Sequence, residues 1–93
     1  MSIRESSIEK SICAYAASKG LLTYKFVSPG RRGVPDRLFI TATGTVMFLE
    51  VKAPGKQPNP LQIREMHKLK ERGVAVFWCD SVDEGKECID LVI

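Results

Sequence analysis

The sequence predicts an α/β fold, an α+β arrangement on one mixed sheet, in the order α-β-β-β-α-β with a short C-terminal helix. Three observations predict it. Two strand-like runs, 36–41 and 45–52, flank the turn-forming Ala42-Thr43-Gly44 and make an antiparallel hairpin. A helical pattern then separates that hairpin from a further apolar run, 74–79, and a helical crossover is how parallel strands are joined. The chain opens and closes on helical patterns with their own cap signals.

The elements follow in order. Residues 2–19 read as a helix, because Ile8, Ile12 and Tyr15 recur at helical spacing with Ala16 beside them. Ser2 with Glu5, or Ser6 with Glu9, fits a capping box, and Gly20 is a stop. Residues 21–27 form a first strand, and 28–33 a loop of turn formers carrying Arg31 and Arg32. The hairpin comes next, then a loop with Pro54, Gly55, Lys56 and Pro58. Asn59 is an N-cap and Pro60 suits the first helical position of a helix running to about Arg72. Leu61, Met66 and Leu69 are its expected inward residues. The continuous apolar run 74–79 is expected to be covered on both faces. Ser81 and Glu84 cap a short acidic helix ending near Asp90.

Ninety-three residues bound the molecule to one small domain, 1–93, with one core. No apolar run is long enough to span a bilayer, so no membrane partner is expected. Cys13, Cys79 and Cys88 are odd in number, lack metal-ligand spacing and sit among apolar neighbours, which reads as reduced core thiols in a cytosol. The net charge of +3 is uneven: residues 1–79 carry thirteen Lys/Arg against six Asp/Glu, and residues 80–93 one against five. A basic body favours a polyanionic partner, although charge alone fits a well-solvated surface equally.

The chemistry lies in the hairpin. Asp36 opens one strand, and Glu50 ends the apolar run Val46-Met47-Phe48-Leu49 in the other. Charged residues at such places are costly unless paired or bound to a metal. Alternation puts Glu50 and Lys52 on one face. If Thr41 pairs with Thr45 across the turn, counting back sets Asp36 opposite Glu50 on that face, with Cβ atoms about 4.5–5.5 Å apart. Two carboxylates so close repel unless a proton or cation lies between them. Mg²⁺ suits them, since it takes oxygen ligands and often one or two carboxylates plus substrate phosphate. Lys52 would then orient or help deprotonate an attacking water, or neutralise charge growing on phosphorus. These are parts for hydrolysing a phosphodiester, with Arg31, Arg32 and Lys56 placed to hold flanking phosphates. The plainer alternative is an Asp36 turn cap and a Glu50–Lys52 surface pair. A lone Glu-x-Lys is common; the specific signal is Gly33-Val34-Pro35-Asp36, a hairpin-length gap, Glu50-Val51-Lys52, and Gln62 opening the next helix.

That combination resembles the VRR-NUC (virus-type replication-repair nuclease) group of the PD-(D/E)xK nuclease superfamily, over nearly the whole chain. The resemblance implies a restriction-endonuclease-like core and a Mg²⁺-dependent deoxyribonuclease, with Mn²⁺ able to substitute. It implies that Asp36 and Glu50 are metal ligands with the Val51 carbonyl as a third, that Lys52 is catalytic, and that Gln62 contacts the lysine or substrate. It also sets Glu9 near the metal, through water; the residues alone read Glu9 as a helix carboxylate or half a cap. Branched DNA such as a four-way junction is the expected partner, with a homodimer as the working unit and no nucleotide cofactor. A cytoplasmic setting is expected, with a phage or prophage product acting in a host cell as one source. Nicking, flap or exonuclease activity, and a non-catalytic nucleic-acid-binding module, stay open as alternatives. His67 is the only histidine and reads as a helix surface residue, which disfavours a histidine–metal nuclease.

Overall fold

A computed structural model describes residues 4–93. Helix α1 (Glu5–Ser18) buries Ile8, Ile12 and Ala16 on one stripe. It begins with Arg4 at the N-cap, which makes no side-chain cap bond. Ser6 lies inside the helix, so the Ser6–Glu9 box does not form; Glu9 is drawn to Arg37 instead. The Ser2–Glu5 box involves Ser2, outside the described residues.

Strands β1 (Leu22–Lys25), β2 (Arg37–Ile40), β3 (Val46–Val51) and β4 (Ala75–Cys79) form one sheet in the order β1-β2-β3-β4. The first three are antiparallel neighbours, and β4 is parallel to β3, joined through helix α2 (Pro60–Glu71). The β2–β3 turn has the expected length. Thr41 donates its N–H to the Thr45 carbonyl at 2.9 Å, and Gly44 takes φ 89°, a left-handed position that glycine holds without a Cβ clash. Arg37 therefore pairs with Leu49, and one step further the register sets Asp36 against Glu50.

Alternation divides the sheet into two faces. Phe39, Met47, Leu49, Val51 and Cys79 point to one face and join Ile8, Ile12, Ala16 and Ile89 in the core, under α1 and helix α3 (Val82–Val92). Each large side chain buried there contributes about 1.5–3 kcal/mol. The two helices meet closely, since a Cβ on Gly85 would run into the Ile12 side chain. Tyr15 Oη donates to Asp90 at 2.6 Å across the same seam. Ser81 caps α3 by accepting from the Glu84 N–H, and the helix runs two residues past the expected Asp90.

Helix α2 packs on the other face, against β4, where Met66 is buried. Leu61 turns outward and is 42% exposed, contrary to its expected inward position, because the start of α2 is given over to the capping box and to Gly33. Double coverage of β4 is also only partial: Val76 is buried but Trp78 is 39% exposed. The three cysteines are free; burial pushes the Cys79 thiol up to about 12 and the Cys88 thiol to about 11. Among the described residues no helix is long and apolar enough to cross a membrane.

Candidate active site

Strand parity sends Leu49 and Val51 into the core and turns Glu50 and Lys52 the other way. Glu50 is nonetheless only 2% exposed. Its carboxylate is held at both oxygens. Oε1 accepts from the backbone N–H of Asp36 at 3.2 Å. Oε2 accepts from Gln62 Nε2 at 3.1 Å and lies 3.2 Å from Lys52 Nζ. Burial pushes the Glu50 acid above the ordinary glutamate range, the Asp36 charge adds to this, and Lys52 opposes it. The structure thus brings Asp36, Glu50, Lys52 and Gln62 together, on three separate elements.

Each approach has a local cause. Asp36 is anchored by its carbonyl, which accepts from the Phe26 N–H at 2.7 Å. The loop before it turns at Gly33, with φ 85°. A Cβ there would stand 2.9 Å from the Leu61 carbonyl oxygen, so glycine lets the loop rest on the first turn of α2. Gln62 serves the helix and the site at once. Its Oε1 accepts from the Asn59 N–H at 2.9 Å, and its own N–H donates to Asn59 Oδ1 at 2.8 Å, a complete capping box. With the amide oxygen so engaged, the NH₂ group faces Glu50. Gln62 therefore meets the carboxylate that Lys52 also reaches.

Glu9 lies elsewhere. Parity turns Arg37 to the α1 face, and its Nε donates to Glu9 Oε1 at 2.7 Å, with both side chains largely buried. Arg32 and Lys56 are exposed on their loops. Arg31 is partly tied down: its Nη1 is 3.5 Å from Glu65 Oε2, and Lys68 Nζ is 3.2 Å from Glu65 Oε1. Glu65, 6% exposed, escaped the sequence reading. Its signal was its spacing, three residues from both Gln62 and Lys68 on one helix.

Among the described residues no group of three or more His, Cys, Asp and Glu side chains is gathered for a metal. The donors at the Asp36–Glu50 pair are two carboxylates, close enough for the Asp36 charge to act on Glu50. An all-oxygen set of this kind fits a hard divalent cation. A cation would also relieve the strain that keeps Glu50 hard to ionise.

Residues 4–83 match the VRR-NUC domain family. The chain belongs to the VRR-NUC family, within the PD-(D/E)xK nuclease superfamily. It is 51% identical over 81 residues to "Putative nuclease p44" of Acyrthosiphon pisum secondary endosymbiont phage 1, covering 87% of each chain. A solved VRR_NUC domain superposes with a TM-score of 0.86 at 32% identity, over 92% of this chain and 94% of that one. A second, described as a VRR_NUC domain protein, superposes at 0.79 over 100% and 90%; at 16% identity it speaks for the fold alone. The VRR-NUC match spans every element through β4 and takes in Asp36, Glu50, Lys52 and Gln62.

Proposed function

We propose that this VRR-NUC protein is a Mg²⁺-dependent DNA endonuclease that acts on branched DNA as a homodimer, in replication, repair or recombination. One observation carries the chemistry: Asp36, Lys52 and Gln62 all converge on the buried carboxylate of Glu50. Asp36, Glu50 and the Val51 carbonyl would hold Mg²⁺, or Mn²⁺ in its place. When bound, such an ion lowers the pKa of a coordinated water and polarises the phosphoryl oxygen. Lys52 supplies a positive charge beside the attacked phosphate and a donor to orient the nucleophile. Gln62 keeps Glu50 turned toward Asp36, and Arg31, Arg32 and Lys56 contact flanking phosphates.

The dimer rests on symmetry and on exposed apolar surface. Cutting a four-way junction in two takes a pair of related incisions, and a two-fold dimer supplies matched sites. Leu22 pairs with Ile40, and Ile40 with Val46, so the three share one rung on one sheet face; Leu22 is 56% and Val46 38% exposed. Leu91 and Ile93 are also exposed. Met47 is wholly buried in the core and Phe77 packs against that core, so neither contributes to this exposed surface.

The test is cleavage of labelled linear, flap and four-way-junction DNA in Mg²⁺, Mn²⁺ or EDTA. Paired incision of the junction, lost in EDTA, is expected. Preference for flaps or ends would move the reading to a flap or exonuclease, and binding without cleavage to a non-catalytic module. Sedimentation at micromolar concentration should give twice the chain mass.

A further inference from the structure

We infer a second phosphate subsite on the flank of α2, built from Arg31, Lys68 and Arg72 around the buried Glu65, which takes the backbone of the nucleic-acid strand beyond the cut. The inference rests on the nuclease reading and extends its footprint along the helix.

The three cations, with Glu65, Leu69 and Glu71, line one cavity of about 480 Å³, ample for a phosphodiester group and its water. Glu65 is screened from solvent and holds two cations, one on each oxygen. Each cation gives it a single contact. Arg31 keeps four of its five N–H donors, and Lys68 two of its three. Their side chains are 57% and 44% exposed, so these donors face solvent. Arg72 completes the set, its Nη1 donating back to the Lys68 carbonyl at 3.3 Å. Glu65 thus fixes where two long, flexible cations stand, while its single charge is opposed by both. Pre-positioned cations with spare donors suit a phosphate oxygen.

The placement gives the subsite a direction. Arg31 sits in the loop that leads through Gly33 to Asp36. Gln62 bonds Glu50; Lys68 follows it on the same helix and Arg72 stands at the helix C-cap, roughly 9 and 15 Å along the axis at 1.5 Å per residue. With phosphates about 3.4 Å apart along each strand's axis, the subsite serves phosphates roughly three to four nucleotides from the scissile one.

The test is anisotropy with a fluorescent duplex and a four-way junction in EDTA, over a salt series. Lys68→Gln keeps a donor for Glu65 and Arg72→Gln one for the Lys68 carbonyl, so both variants should fold; thermal melts check this. On duplex, the double variant should lower the slope of log K against log salt by roughly 0.9 for each phosphate it no longer neutralises, so by nearly two. Lys10→Gln with Lys86→Gln, on α1 and α3, supplies the control with the same charge change. Neutral methylphosphonates three to four nucleotides from the cut should weaken the wild type markedly more than the double variant, which keeps only Arg31 at the subsite. A folded double variant as salt-sensitive as the wild type, or no more altered than the control, overturns the subsite. Cleavage in Mg²⁺ keeps the two readings apart. Normal cleavage with an unchanged double variant removes the subsite alone, and DNA bound as expected but never cut removes the nuclease reading alone.

Discussion

Leu49 and Glu50 are neighbours in one strand, and both are essentially out of water, at 0% and 2% exposure. They face opposite sides of the sheet. Leu49 packs among apolar side chains under α1 and α3. Glu50 is enclosed by an N–H, an amide and an ammonium group, and burial pushes its acid up against the pull of the N–H and the ammonium. Equal burial therefore means different things. On the first face it holds the fold together, and on the second it positions a charge that a cation would satisfy.

Neutralising the polar side should have the largest effect. Asp36→Asn and Glu50→Gln should each lower cleavage by roughly 10²–10³-fold or more, the scale seen when one electrostatic element of a site is removed. Circular dichroism and DNA binding in EDTA should stay close to wild type. Full Mg²⁺-dependent cleavage by Asp36→Asn would contradict the assignment. The apolar side should respond the opposite way. Leu49→Ala should cost about 2–5 kcal/mol of stability in denaturant melts, while the fraction that remains folded stays active. A loss below about 1 kcal/mol would mean that the α1–α3 face is not the principal core.

The hairpin face was legible because its evidence is local. A three-residue turn fixes the register, and the register fixes Asp36 against Glu50. Asn59, Pro60 and Ser81 likewise announced their helix starts. Long-range pairings were not legible. Glu9 carries a cap signal and a helical stripe in the sequence, but nothing there says that Arg37, twenty-eight residues on, will take it. Nothing in the sequence pairs Glu65 with Arg31, thirty-four residues away, and only the loop folding back on α2 encloses it. Leu61 failed as an inward residue because Gly33 brings a backbone, not a side-chain socket, against that turn.

A cation should show which face carries unmet charge. The raised Glu50 acid favours the protonated form in the folded state. Its contribution to stability is present below the unfolded glutamate pKa of about 4.3 and is lost as pH rises through the higher folded value. Mg²⁺ binds the ionised form, so its effect should grow with pH. At a concentration a hundred times its Kd it should stabilise the protein by about 2.7 kcal/mol. The rise in Tm on adding Mg²⁺ should be larger at pH 8 than at pH 5, and Glu50→Gln should remove it. An equal rise at both pH values would detach Glu50 from the metal.

The smallest expected effect belongs to an ion pair on the apolar side of the sheet. Arg37 and Glu9 are 21% and 14% exposed in their side chains, and the bond between them is 2.7 Å. Arg37 adjoins Asp36 but points away from it, so the pair fastens the start of β2 to α1. Glu9→Gln keeps an oxygen for Arg37 and removes the charge. As an anchor, Glu9 should then cost about 1–2 kcal/mol, the difference between a charge-assisted and a neutral hydrogen bond plus some lost solvation of the guanidinium. The Mg²⁺ concentration for half-maximal cleavage should stay where it is. As a metal-side residue acting through water, Glu9 should give the reverse, with little change in stability and a shift of that concentration to higher values. Denaturant melts and a Mg²⁺ titration on the same variant separate the two. The geometry favours the anchor, because the Glu9 oxygen that meets Arg37 lies on the face of the sheet opposite Glu50.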